Sequence, residues 1–493
     1  MFKFKKTAFF LAKLIVFLAI INFLSACQED FTTNPADTVL FSTDTLTFDT
    51  TFTTVGSATS RIMVYNPNNK AIRISNIFLA NGKSSAFKIN VDGKNNENNQ
   101  FTDIEIGAKD SLYIFVQVNI DPLDDNLPLL IEDALIFLVN GNIKTITLQA
   151  IGQNAVIFRN KLIVNDTTLT AERPYLVFGY LAVDRAKTLT LAPGTKLYFH
   201  NNANLIVLYG NLMAKGTFEQ PIIMRGDRFD KIKFETPVLY NVVAGQWGGI
   251  HLLWNKGKHV LRHVNLNSGY VGIYLSNQDK NQLPELEISD CRIHNFLLYG
   301  LWVQNGNVKV LNSEISNSSS FCVYLNGGQH TFIHCTIANY FNNSSVQPIL
   351  RDKEPAVMIM DLNRIAPMRT TFINCAIAGS MENEFSLATR FPSLYKGTFS
   401  HCYIRKPKAL DLPQFTYIRW SEKNDTVFKN IYFDYKKGTY FNFEPDSVSP
   451  LRDMGDYNIA AENCPVDLNG VNRLQDGVPD IGAYEWMPVK KDE

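Results

Sequence analysis

Neither sign of charge prevails in this 493-residue chain, where 47 lysines and arginines face 47 aspartates and glutamates. That balance leaves no basic field to draw nucleic acid. Cysteine is sparse at seven and histidine at eight, and neither Cys-x-x-Cys nor a Cys/His ligand spacing occurs, so no metal site is expected. The Leu-x-x-Leu-x-Leu spacing of leucine-rich repeats is missing too, and the valine, isoleucine and aromatic content favours strands over helices. Long apolar runs are lacking except near the N-terminus, where about 15 apolar residues fall short of the roughly 20 that span a bilayer.

What the chain does have is a repeat between Leu261 and Ile404. One block, polar-small-variable-aliphatic, recurs at His263-Val264-Asn265-Leu266, Asp290-Cys291-Arg292-Ile293, Asn312-Ser313-Glu314-Ile315, His334-Cys335-Thr336-Ile337, Asn374-Cys375-Ala376-Ile377 and His401-Cys402-Tyr403-Ile404. An apolar residue stands three positions before each small one: Leu261, Ile288, Val310, Phe332, Phe372 and Phe399. The small positions 264, 291, 313, 335, 375 and 402 are separated by 27, 22, 22, 40 and 27 residues, which suits a unit near 22 carrying loop insertions. Periods of that size mark a solenoid. A second strand per rung reads Gly249-Ile250-His251-Leu252, Gly272-Ile273-Tyr274-Leu275, Gly300-Leu301-Trp302-Val303, Cys322-Val323-Tyr324-Leu325 and Ala356-Val357-Met358-Ile359. Alternation along a strand turns the small and aliphatic residues inward. Five cysteines occupy small inward positions, where they act as compact hydrophobes and are expected to remain buried free thiols. These blocks resemble the right-handed parallel β-helix proteins of the pectate-lyase-like superfamily, over roughly residues 155–485. The resemblance speaks to fold more than to activity.

At the N-terminus, Lys3, Lys5, Lys6 and Lys13 surround the apolar run, and Leu24-Ser25-Ala26-Cys27 follows. This resembles a bacterial lipoprotein signal, which implies cleavage before Cys27 and lipid on that cysteine. Removing residues 1–26 takes four lysines and no acid, leaving 43 bases against 47 acids. Gln28-Glu29-Asp30 resembles the export signal of Bacteroidetes surface lipoproteins, so the resemblance implies an outer-membrane, lipid-anchored protein whose partners include the membrane but no nucleic acid.

After a tether at 27–37, residues 38–152 read as short alternating segments broken by Asn66-Pro67, Asn81-Gly82, Asp92-Gly93 and Asn140-Gly141, turn chemistry that predicts a β-sandwich. It resembles the abnormal-spindle-type immunoglobulin-like domains. The expected fold is therefore all-β, an immunoglobulin-like sandwich followed by a right-handed parallel β-helix over 153–448. Residues 449–493 carry Pro450-Leu451-Arg452-Asp453-Met454-Gly455-Asp456 and end near Pro479-Asp480-Ile481-Gly482-Ala483-Tyr484-Glu485. That ending resembles the terminal motif of many secreted bacterial β-helix proteins and reads as a cap, in preference to a metal site.

The outward positions of the second strand hold His251, Tyr274, Trp302, Tyr324 and Met358. No carboxylate is among them, whereas hydrolysis needs paired acids and calcium-dependent elimination needs clustered acids with a base. No catalytic residue and no cofactor are assigned on this basis. The outward column His263, Asp290, Asn312, His334, Asn374 and His401 reads as a surface ladder, because residues three rungs apart lie too far from each other to share an ion. Tyr274, Trp302 and Tyr324 on successive rungs offer a strip roughly 10 Å long, suited to the apolar faces of sugars. The same rings would also suit packing beneath a loop or the C-terminal tail. Two functions stay open: a non-catalytic surface lipoprotein that binds glycan or another envelope component, and a polysaccharide lyase or hydrolase whose acids and base come from loops around Arg351, Asp352, Lys353, Glu354 and Asp361.

Overall fold

Alternating apolar residues and paired turns build the first of two compact units, which divide at Asn154 and Ala155. The computed structural model describes residues 30–488 apart from 58, 123–127, 233–237, 255–256, 279–282, 342–349, 362–367, 391–394, 408–409, 411, 423–424, 435–439 and 476. Two five-stranded sheets form the N-terminal unit. Their inner faces bury Ile62, Val64, Ile74, Phe87, Ile114, Phe137, Ile146 and Leu148 in one core. Asn140 and Gly141 both take positive φ, 46° and 78°, and turn Leu129–Val139 back on Asn142–Gln153. The strand Gln100–Ile106 does not alternate cleanly in sequence. Its neighbours, Asn95 to Asn99, hide it in a polar run.

The second unit is the β-helix, with three stacks of parallel strands. Tyr175–Val183 bends at Gly179, φ 72°, and feeds two of them: its first half pairs with Leu197–Phe199 and its second half with Asn204–Val207. The third stack is a ten-stranded sheet that includes Lys258–Arg262, Glu285–Ser289, Asn307–Leu311, Gln329–Ile333, Arg369–Ile373 and Lys396–Ser400. Each full rung thus has three strands, one more than the sequence reading supplies.

The extra strand was hidden by the polar residue of the repeat. His263, Asp290, Asn312, His334, Asn374 and His401 are not strand residues but corners, with φ between 44° and 55°. The left-handed region is tolerated best by Asn, Asp and His among residues other than glycine. A single such residue turns the chain from one sheet into the next, as between Lys258–Arg262 and Val264–Asn267.

The small residue after each corner is buried, and so is the aliphatic two positions on. Cysteine does more there than fill space. The thiols of Cys335, Cys375 and Cys402 donate to the carbonyls of Val310, Phe332 and Phe372 on the preceding rung, each at 3.4 Å. The apolar column beside them becomes a stack of rings, Phe332, Phe372, Phe399 and Phe415, with centroids 4.5, 5.3 and 4.5 Å apart. Trp247 lies flat on Phe199 at 4.1 Å.

The C-terminal segment caps the helix laterally, across the corners of several rungs. Asn374 pairs with the backbone of Asp456, accepting from its N–H at 2.8 Å and donating to its carbonyl at 3.1 Å. His334 Nδ1 meets the Gly482 carbonyl at 3.2 Å, and Thr336 accepts from the Ala483 N–H at 2.9 Å. Arg473 is fully buried, donating to Glu485 at 2.6 Å and to Asn312 at 2.7 Å. Tyr484 donates to Glu314. The corner column predicted to be a surface ladder is therefore covered from Asn312 to Asn374, because its polar groups are what hold this strap.

Two measurements follow from these contacts. All six described cysteines are buried and unbridged, and burial pushes Cys291, Cys322 and Cys464 up to about 12. The native protein should resist iodoacetamide at pH 8 and take it up fully in denaturant; bridged peptides in a non-reducing map would contradict the stacking.

Burial likewise raises the Asp480 carboxyl to about 6 and that of Glu485 to about 7, against ordinary values of 3.8 and 4.5. Arg473 and Asp467 face Glu485, while the Asp453 and Trp486 N–H groups face Asp480. The folded chain holds these two protons more tightly than the unfolded one. Their support is complete below about pH 4 and is lost as pH climbs through 6 to 7. The melting temperature should fall between pH 5 and 7.5, and Glu485→Gln should flatten that fall. A wild-type melting temperature that rises over the interval would exclude this coupling.

Candidate functional site

The ring column is built by register. Parallel pairing aligns His251 with Tyr274, Tyr274 with Trp302, Trp302 with Tyr324 and Tyr324 with Met358. Because inward and outward positions alternate, the flanking Ile273, Leu301 and Val323 are fully buried while the column residues keep partial exposure. The column thus brings together all three predicted glycan-binding residues, with ring centroids 4.3 Å apart for Tyr274 and Trp302 and 6.5 Å for Trp302 and Tyr324.

The site is wider than the column. Tyr299 lies 4.9 Å from Trp302 and 6.2 Å from Tyr324, and is stacked on Phe321 at 5.7 Å and 4°. Tyr299 falls out of the alternate positions that point outward, so strand parity alone could not select it. At one end His251 meets Tyr274 edge-on at 6.1 Å, and burial lowers its pKa, which leaves a neutral imidazole. At the other, Tyr324 donates its hydroxyl to the Met360 sulfur at 3.2 Å. Burial, then the nearby charges of Asp352 and Glu354, raise the Tyr299 phenol. Those two acids stand beside the rings.

Arg351 does not. Its guanidinium makes a fork to Glu384 at 2.7 and 2.5 Å, with both side chains buried, and donates further to the carbonyls of Asn339 and Glu354. Glu384 also accepts from the N–H groups of Ala356 and Met381. Such a bidentate pair fixes the start of the Val357–Asp361 strand and leaves Arg351 no freedom to act as a base. Asp361 is itself buried, and its carboxyl is raised by desolvation.

Among the described residues no group of three or more histidines, cysteines, aspartates or glutamates could hold a metal ion. No helix among them is long and apolar enough to cross a membrane. Cys27, the predicted lipidation site, and residues 1–26 lie outside the described residues.

A family model described as "right handed beta helix region" matches residues 248–386, the rungs that carry the ring column. Together with the parallel three-stack topology, the match defines this unit as a right-handed parallel β-helix. The chain matches no curated protein sequence. Solved structures show local likeness to parts of the chain. The ASH / PapD-like domain of human CEP192 has 14% identity, covering 25% of this chain and 89% of that chain at a TM-score of 0.16. A family 123 glycoside hydrolase from Clostridium perfringens, described for glycolipid glycan hydrolysis, has 11% identity over 24% of this chain, with a TM-score of 0.16. The Vibrio cholerae VesB protease also has 11% identity over 24% of this chain, with a TM-score of 0.17. The chain spans only 26% and 33% of those two proteins, and likenesses of this size carry no functional argument.

Proposed function

We propose that this chain is a non-catalytic lipoprotein of the bacterial outer membrane, lipid-anchored at Cys27, whose β-helix flank binds a glycan. The observation that carries the reading is the partly exposed cluster of Tyr274, Trp302, Tyr324 and Tyr299. Aromatic faces on rungs about 4.8 Å apart offer successive platforms to the apolar faces of sugar units. Ring packing holds each aromatic against a neighbour, tilted by 33° for Tyr274 and Trp302 and edge-on at 87° for Trp302 and Tyr324, so the platform is set before a ligand arrives, which reduces the ordering cost of binding. The absence of carboxylates from the ring column and the engagement of Arg351 by Glu384 favour binding over lyase or hydrolase chemistry. The anchor rests on Leu24-Ser25-Ala26-Cys27 and the lysines before it.

Cys27→Ala should abolish fatty-acid labelling of the protein in cells; labelling that persists in this variant ends the lipoprotein reading. Trp302→Ala should weaken binding several-fold across a panel of neutral and acidic polysaccharides in affinity electrophoresis. The loss corresponds to about 0.5–1.5 kcal/mol of stacking. Its melting temperature should stay close to wild type. A sharp drop in melting temperature with unchanged binding would instead make the rings a packing device.

A further inference from the structure

On a different stack of strands, where the C-terminal strap stops, lies an open cleft of about 490 Å³. Under the strap, the corner residues Asn312, His334 and Asn374 are buried against it. One and two rungs earlier the same column continues as Asp290 and His263, whose side chains are 21% and 19% exposed and face the cleft. Asn265 and Arg292 extend the floor, Glu444 and Asn469 form one wall, and Phe218 from the loop after Asn211–Lys215 forms the other. The Phe218 ring is 54% exposed, and its tip approaches Gly470 so closely that a Cβ there would stand 3.3 Å away.

The charges of this cleft are already answered. Asp290 lies 3.7 Å from Arg262 and accepts from Asn312 at 2.8 Å, and Glu444 lies 2.6 Å from Lys429 and accepts from Asn469 at 3.0 Å. Arg292 donates to the Asn469 side chain at 2.8 Å and to the Leu468 carbonyl at 3.3 Å. Desolvation lowers the His263 pKa, so its ring is neutral near pH 7. A charged ligand would gain from one partner and lose to its neighbour. Hydroxyl groups gain from both, because they donate to Asp290 and Glu444 and accept from Arg292 and Asn469. An exposed phenyl ring beside such groups suits the C–H face of a pyranose. The volume falls within the roughly 300–1,000 Å³ of small-molecule sites.

We infer that this cleft is a second binding site, for a neutral saccharide of one or two hexose units, with Phe218 against the ring face and Asp290, Arg292 and Asn469 at the hydroxyls. It stands apart from the ring column of Tyr274, Trp302 and Tyr324 and does not depend on it. The probes are cellobiose and maltose, with digalacturonate and a glucosamine dimer as charged counterparts. All are tested against the full-length chain by saturation-transfer NMR and calorimetry. At least one neutral disaccharide should bind, and the charged pair should bind at least tenfold more weakly. Phe218→Ala and Asp290→Asn should each reduce affinity fivefold or more, and Lys309→Ala, on the exposed face of the Asn307–Leu311 strand, should leave it unchanged. No transfer to either neutral disaccharide, equal or tighter binding of a charged one, or binding indifferent to Phe218→Ala with the melting temperature preserved would overturn the assignment. A loss caused by Trp302→Ala alone would move the saccharide to the ring column.

Discussion

Parallel hydrogen bonding from one rung to the next governs the second unit, because each strand must present its side chains in the register of the strand beneath it. A residue is then judged by its column as much as by its own burial. Phenylalanine follows phenylalanine in the interior, with ring planes nearly parallel. Small thiol or hydroxyl residues follow one another beside the corners, and outward aromatics follow outward aromatics. A hydrophobic residue gains most when its neighbours above and below have the same shape, since dispersion contacts grow with close packing. The Cys-to-carbonyl contacts add direction to that packing, tying each corner to the rung before it.

Much of this was legible in the chain because columns leave a periodic trace. The blocks at 264, 291, 313, 335, 375 and 402 disclosed the rungs, and strand parity placed Tyr274, Trp302 and Tyr324 on one face. The corners were less legible. Asn374 or His334 in a row of letters looks like the polar half of an alternating strand, and only φ tells a corner from a strand position. The partners of those residues were hidden for a different reason. Asn312 meets Arg473 and Thr336 meets Ala483 across more than 140 positions, and no local pattern encodes such a pairing. Tyr299 escaped because it precedes the regular part of its strand, and the pairing of Arg351, named from sequence only as a loop base, because an isolated arginine in a loop gives no sign of the glutamate it will find.

The two faces of the β-helix divide its polar chemistry. Along the corners, carboxamide, imidazole, hydroxyl and guanidinium groups are mostly consumed by the strap, and a buried pair such as Arg473 and Glu485 fixes position more than it adds stability. Along the ring column the outward groups are aromatic, with acids only at the margin near Tyr299. A surface of that kind offers area and orientation. The Arg351–Glu384 pair reinforces the contrast, since it makes two charges part of the scaffold.

The strap has a consequence for the order in which the protein can be finished. His334 emerges long before Gly482, its carbonyl partner 148 positions later, and Asn312 waits still longer for the Arg473 guanidinium. During synthesis the rungs can coil as soon as each strand finds the one beneath it, but their corner side chains remain in water until the strap over residues 451–485 is delivered. The rungs are therefore sealed by a segment made well after them. A molecule lacking residues 451–485 would keep its coil and its ring column yet expose a seam of unpaired amides and imidazoles, a state that proteases could distinguish from the strapped one.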